Sequence, residues 1–290
     1  MSAPSPRLFG AGIQAPRSSS PILARNNVRV IGPADGPVLL LAQGFGCDQV
    51  IWDRLLPYLE NTHRIVLFDH VGTGGADLPD FQDGKYSSLA GHTGDLLDIL
   101  DALELEDVTV VGHTVAGMMA LTAAAGSPRI GRLVLLNTSA CYGQVPAEGY
   151  DGGLTPADMD QILAAVDGNH PLWADSVAPS LLGQSAPSAL SGQVAERLCL
   201  LDPDFVLGFL RMTLHADVRH LLGQVSVPAL ILQSAGDPLT PASSCQYLSE
   251  QLSCSALVHL NAKGNMPHVN APAEIAQAIL GFLPGSTHAS

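Results

Sequence analysis

Three side chains in this sequence have types and settings suited to acyl or carbonyl chemistry. Thr114 lies in VTVVGHTVAG, residues 108–117, where an apolar run turns at Gly112 and continues into Ala116 and Gly117. In a turn of the G-x-S-x-G kind, small neighbours tolerate a strained backbone that lifts a hydroxyl above the end of a strand. The same segment also reads as an ordinary strand-to-helix turn with Thr114 as cap. Asp237 follows the apolar run ALILQ in SAGD, where an acid at a strand end can orient a base. A turn aspartate ahead of Pro238 fits equally. The base of such a set is expected after the last strand, where AKGNMPH, residues 262–268, offers Asn265 and His268.

The elements around these residues alternate between strand and helix signals, the pattern of an α/β parallel sheet covered by helices. Strands are expected at 28–31, 38–42, 64–68, 108–111, 133–136, 229–233 and 256–260. VLLLA at 38–42 has the continuous apolar character of a strand buried on both faces. Helices are expected at 49–59, 87–103, 116–125 and 272–283, with apolar residues at helical spacing. Residues 139–224 differ. They contain no buried-strand signal but four helical segments, at 156–166, 170–182, 186–201 and 203–215, which together read as an inserted lid. No internal repeat is present.

Composition narrows the class. The 290 residues suit one α/β domain with an insertion, or at most two small domains. Apolar residues form 47% and charged residues 14%, which excludes disorder for the bulk of the chain. A net charge of −14 repels phosphate backbones and anionic lipid, so neither nucleic acid nor membrane is an expected partner. No apolar run is long enough to span a bilayer. Cys47, Cys141, Cys199, Cys245 and Cys254 are scattered without a CxxC pair, and the histidines form no HExxH cluster. That argues against disulfides and metal and for a reducing, cytoplasmic setting. No cofactor is expected. Residues 1–25 carry arginines but no apolar core of a secretory signal, so 1–26 reads as a disordered tail, with a transit peptide as the alternative.

Several stretches together resemble the α/β-hydrolase subfamily that contains the plant karrikin and strigolactone receptors and the bacterial hydrolase that works with a phosphatase in the sigma-B stress pathway. They are QGFGCDQ (43–49), FDHVGTG (68–74), VGHTVAG (111–117), VPALILQSAGD (227–237) and KGNMPH (263–268). The resemblance covers about residues 27–283. It implies the α/β-hydrolase fold, a mostly parallel central sheet flanked by helices, with core segments 27–138 and 225–290 and a four-helix lid at 139–224. It also implies a catalytic set at Thr114, Asp237 and Asn265, and an oxyanion hole of the Phe45 and Val115 backbone N–H groups. Gln43, Tyr142, Trp173, Val177 and Met266 are then expected at the pocket; His215, ending the last lid helix, and His268, beside the base position, are assigned to the pocket as well. His113 is expected to point away from the site. Against the family pattern, Gln43 replaces a histidine, Thr114 a serine and Asn265 the catalytic histidine, and Ala76 stands where a small hydroxyl residue is usual. Only Asp237 matches.

These replacements have chemical consequences. A β-branched residue is penalised at the positive φ of such a turn. The Asn265 amide does not titrate and so cannot take or return a proton. Loss of triad function can cost up to ~10⁶ in turnover, leaving ~10³–10⁴ over water from binding and the oxyanion hole. The expected function is an enzyme acting on a small, largely apolar carbonyl, ester or lactone compound. Hydrolysis would be weak or absent, and the reaction of lyase, isomerase, cyclase or decarboxylase type. The alternatives are a non-catalytic ligand sensor with a protein partner and a slow esterase or lactonase with Thr114 as nucleophile.

Overall fold

The computed structural model describes residues 20–78, 84–185 and 188–284. Its strands are β1 (Arg29–Ile31), β2 (Val38–Ala42), β3 (Arg64–Leu67), β4 (Val108–His113), β5 (Ile130–Leu136), β6 (Ala229–Ala235) and β7 (Ser255–Lys263). They form one sheet in the order β1-β3-β2-β4-β5-β6-β7. Only β1 runs antiparallel, against β3. All the strands expected from the sequence are present, most of them a residue or more longer or shorter than the apolar run alone suggests.

Apolar runs become central strands because both faces of the sheet are covered. Alternate residues feed two separate cores. Leu40, Ala42, Val66, Val110, Leu133 and Ile231 enter one core, under α2 (Leu89–Ala102), α3 (Val115–Gly126) and α7 (Ala242–Gln251). Leu39, Leu41, Ile65, Val111, Val134 and Leu232 enter the other, under α8 (Pro267–Asn270) and α9 (Pro272–Phe282). Between β5 and β6 the chain forms α4 (Pro156–Leu181), α5 (Ala189–Cys199) and α6 (Pro203–His215). The two helices expected at 156–166 and 170–182 are both present within the span of α4, separated by a break at Asn169 (φ −162°, ψ 85°). Pro171 cannot donate to the preceding turn, and Asn169 Oδ1 restarts the helix by accepting from the Leu172 N–H at 3.0 Å.

Four expectations need correction. The tail expected to be disordered through residue 26 is ordered from Ser20, with α1 at Pro21–Arg25 and Asn26 fully buried; residues 1–19 lie outside the described residues. The helix expected at 49–59 is two 3₁₀ turns, Gln49–Trp52 and Leu56–Tyr58, separated where Pro57 supplies no N–H. The helix expected from 186 is seen from Ala189, residues 186–187 lying outside the described residues. Helix α7 was not anticipated, because its sequence ASSCQYLSEQ buries only Ser244, Cys245 and Leu248.

One carboxylate ties the loops at the carboxyl ends of β2 and β3 together. Asp69, 1% exposed, accepts from the Gln49 N–H at 2.8 Å, the Gly75 N–H at 2.9 Å and Asn27 Nδ2 at 2.7 Å. Removing it strands three donors, two of them on the backbone. Asp69→Ala is therefore expected to lower unfolding free energy by about 3 kcal/mol in urea titrations, whereas an exposed control such as Asp35→Ala should change it little.

Candidate active site

The order of the strands decides where a site can form. After β2 the chain moves outward to β3 and then returns to β4 on the other side of β2. Such a reversal opens a crevice at the carboxyl ends of the two strands. Ala42 pairs with Gly112, so the turn after β2 and the turn after β4 leave the sheet side by side. A Cβ on Gly44 would stand 2.2 Å from Thr114 Oγ1 and 2.7 Å from His113 Nδ1. Only glycine permits that approach.

Thr114 joins β4 to α3 with φ 52° and ψ −117°, the strained turn expected from the motif. A Cβ on Gly112 would meet Gly117 Cα at 2.6 Å, and one on Gly117 would meet Thr138 Oγ1 at 2.0 Å. Both glycines are needed for the helix to fold back against the strand. The Tyr142 phenol lies beside the Thr114 hydroxyl, which lowers its pKa slightly against the larger effect of burial. Tyr142 is 3% exposed, and burial drives its phenol above its ordinary pKa, so it stays protonated. Val115 opens α3 and its N–H has no intrahelical acceptor. The Phe45 N–H has no acceptor among the described residues.

Asn265 and Asp237 are brought together. Asn265 Nδ2 donates to both carboxylate oxygens of Asp237, at 3.2 and 3.0 Å. Burial raises Asp237 to about 6, against the opposing Leu239 N–H, Asn265 amide and Thr240 N–H. The Asn265 backbone is clamped in turn. Its carbonyl accepts from His113 Nε2 at 2.8 Å and Asn137 Nδ2 at 3.0 Å, and its N–H donates to the Leu181 carbonyl at 2.7 Å. Burial depresses His113 to about 4, so it is neutral near pH 7. Asn137, at positive φ, was not singled out in the sequence; an asparagine ending a strand tolerates that conformation.

The remaining expected residues divide into two groups. Phe45 forms an aromatic wall with Trp173, centroids 6.1 Å apart, and with Phe209 at 5.7 Å. Val177 and Met266 pack in the core that borders Trp173. Gln43 is wholly buried behind the first turn, where Nε2 donates to the Phe68 carbonyl at 2.9 Å and Oε1 has no partner. Two residues stand elsewhere than expected. His268 is fully buried between the rings of Trp52 and His113, 4.5 and 4.6 Å away, with neither nitrogen hydrogen-bonded. Burial holds it neutral, and it has no opening to a pocket. His215 is exposed, and it lines a different cleft on the outer side of α6. Sequence reasoning also missed Phe209, one apolar position among several on α6. Among the described residues no cluster of His, Cys, Asp and Glu could hold a metal ion, and no helix is long and apolar enough to cross a membrane.

A family model described as alpha/beta hydrolase fold matches residues 37–272, and the chain belongs to that family. Strigolactone esterase D14 of Arabidopsis thaliana is 34% identical over 265 residues, covering 91% of this chain and 98% of its own length. Karrikin insensitive 2 receptor IA of Petunia hybrida is 32% identical, covering 84% and 89%. Among solved structures, the hydrolase olei00960 from Oleispira antarctica superposes with a TM-score of 0.85 at 35% identity, over 90% of this chain and 96% of its own. The likeness to strigolactone and karrikin receptors drawn from the motifs is thereby met.

The raised Asp237 has a measurable consequence. An acid that holds its proton more tightly when folded stabilises the fold fully below its unfolded value, near 3.8, and loses that contribution as pH rises through about 6. Between about pH 4 and 6.5, the protein should lose up to roughly 3 kcal/mol of unfolding free energy relative to Asp237→Asn. Chemical denaturation across that range reads the difference directly, and a flat line would show that Asp237 titrates as an exposed carboxylate does.

Proposed function

We propose that this protein receives a small, largely apolar carbonyl compound at the Thr114 turn and converts it by a reaction other than triad ester hydrolysis. Asn265 carries this reading. Its amide fills the place beside Asp237 that a titrating base would need, and it satisfies both carboxylate oxygens. The two nearby histidines are neutral and packed, and the phenol beside the Thr114 hydroxyl is protonated. No group in this set is suited to remove the hydroxyl proton near neutral pH. What remains favours polarisation of a carbonyl. The Phe45 and Val115 N–H groups act as an oxyanion hole, with the Tyr142 phenol and Thr114 hydroxyl as further donors. Lyase, isomerase, cyclase and decarboxylase reactions of an ester, lactone or enone need that polarisation and no acyl-enzyme.

In this reading the helices of residues 139–224 act as a lid on the core of 27–138 and 225–290, and Trp173, Val177 and Met266 help to shape its apolar underside. Five free cysteines fit a reducing, cytoplasmic setting. A second reading is a ligand sensor that signals through a protein partner. It is favoured by the relatives named as receptors, since a bound ligand can move a lid without turnover.

Hydrolysis of a short p-nitrophenyl ester tests the first claim. The protein and Thr114→Ala should be equally slow, while Thr114→Ser/Asn265→His should gain at least about 100-fold. Fast turnover by the protein, abolished in Thr114→Ala, would instead establish a threonine-nucleophile esterase. With hydrolysis absent, product analysis against candidate enones and lactones separates an enzyme from a sensor, since a sensor returns its ligand unchanged.

A further inference from the structure

One cavity of the structure lies away from Thr114. A cleft of about 640 Å³ lies between α6, the start of α2 and the segment that follows α6. Thr114, Tyr142 and Phe45 do not line it. Phe209 does, and its ring, packed on Phe45, is the partition between the two regions.

Its lining is graded. The walls are apolar, formed by Leu89, Phe205, Phe209 and Met212. At the inner end His92, 1% exposed, packs on Phe209 and leaves Nδ1 without a hydrogen-bond partner. The rim carries Arg211, His215 and His220. Arg211, like Arg54 and Arg64, pairs with no carboxylate among the described residues. His215 donates from Nδ1 to the Arg211 carbonyl at 2.9 Å, which leaves Nε2 for another partner. Asp217 also lies on the rim, but Arg219 already holds its carboxylate at 2.6 Å. A lone arginine flanked by histidines therefore stands over an apolar cleft in a chain whose net charge is −14.

Gly208 offers a position from which the cleft can be tested. A glycine inside a helix costs about 0.5–1 kcal/mol against alanine. Gly208 lies on the cleft-lining part of α6, and a Cβ there would meet nothing within 4 Å. A large side chain at this position would reach into the cleft mouth.

We propose that this cleft binds a small apolar molecule bearing a carboxylate, with its body against Phe205, Phe209 and Met212 and its charged end at Arg211. An ionised ligand gains a charge-assisted hydrogen bond there that an uncharged analogue does not.

Titration calorimetry with dodecanoate, and with dodecanol as the uncharged probe, tests the assignment. Dodecanoate should bind, and Arg211→Gln should weaken it about tenfold or more while leaving dodecanol within about twofold. Gly208→Phe should abolish binding of both by filling the cleft. Far-UV circular dichroism checks that variant's fold, and should it fail to fold, Arg211→Gln decides alone because Arg211 is exposed. The proposal is overturned if dodecanoate does not bind at millimolar concentration or if Arg211→Gln leaves its affinity unchanged. It is equally overturned if a folded Gly208→Phe still binds it, which would put the probe at the Thr114 turn or elsewhere.

Discussion

Backbone crowding around Thr114 is the constraint on which the rest of the site depends. Three glycines, Gly44, Gly112 and Gly117, stand where any Cβ would overlap a neighbouring segment. Their contacts press the turn after β2, the end of β4 and the start of α3 into one small volume. The sheet order makes this unavoidable, since β2 and β4 are neighbours whose chains diverge at their carboxyl ends. A hydroxyl raised at φ 52° and two backbone N–H groups beside it are products of that packing. None depends on which hydroxyl residue occupies the turn.

Electrostatics then determines what the turn can do. The loop carrying Asn265 is fixed through its backbone, by His113, Asn137 and the Leu181 carbonyl, so its side chain is delivered to Asp237 whatever its chemistry. A histidine delivered there would couple the carboxylate to the hydroxyl. An amide satisfies the carboxylate and stops. The buried histidines nearby offer no substitute, because desolvation favours their neutral forms and their ring contacts hold them in the core. The result is a set of hydrogen-bond donors around a hydroxyl, with little capacity for proton transfer.

Much of this was legible in the sequence because it rests on local signals. Continuous apolar runs mark strands buried on both faces, and the glycine spacing around Thr114 marks a strand folding directly into a helix. The failures share a different cause. Helix α7 carries few apolar residues, because one core-facing stripe of Ser244, Cys245 and Leu248 suffices when the rest faces solvent. His215 and His268 were assigned to a pocket by position along the chain. One lies on the outer face of α6 and the other under Trp52, and spacing cannot reveal which way a ring points. The residues that clamp the site from a distance in sequence, Asn137 and Phe209 among them, carry no motif at all.

The retained strain bears on whether the altered site is used. A β-branched residue at positive φ and a buried, raised-pKa carboxylate each reduce stability. Both could be relieved by single replacements, glycine at the turn or an amide in place of Asp237, if nothing were required of the site. Instead the strained turn, its three glycines and the Asn265–Asp237 contact are all present together. That costly geometry is consistent with the proposed reading, in which the turn grips a carbonyl compound and polarises it without a proton relay.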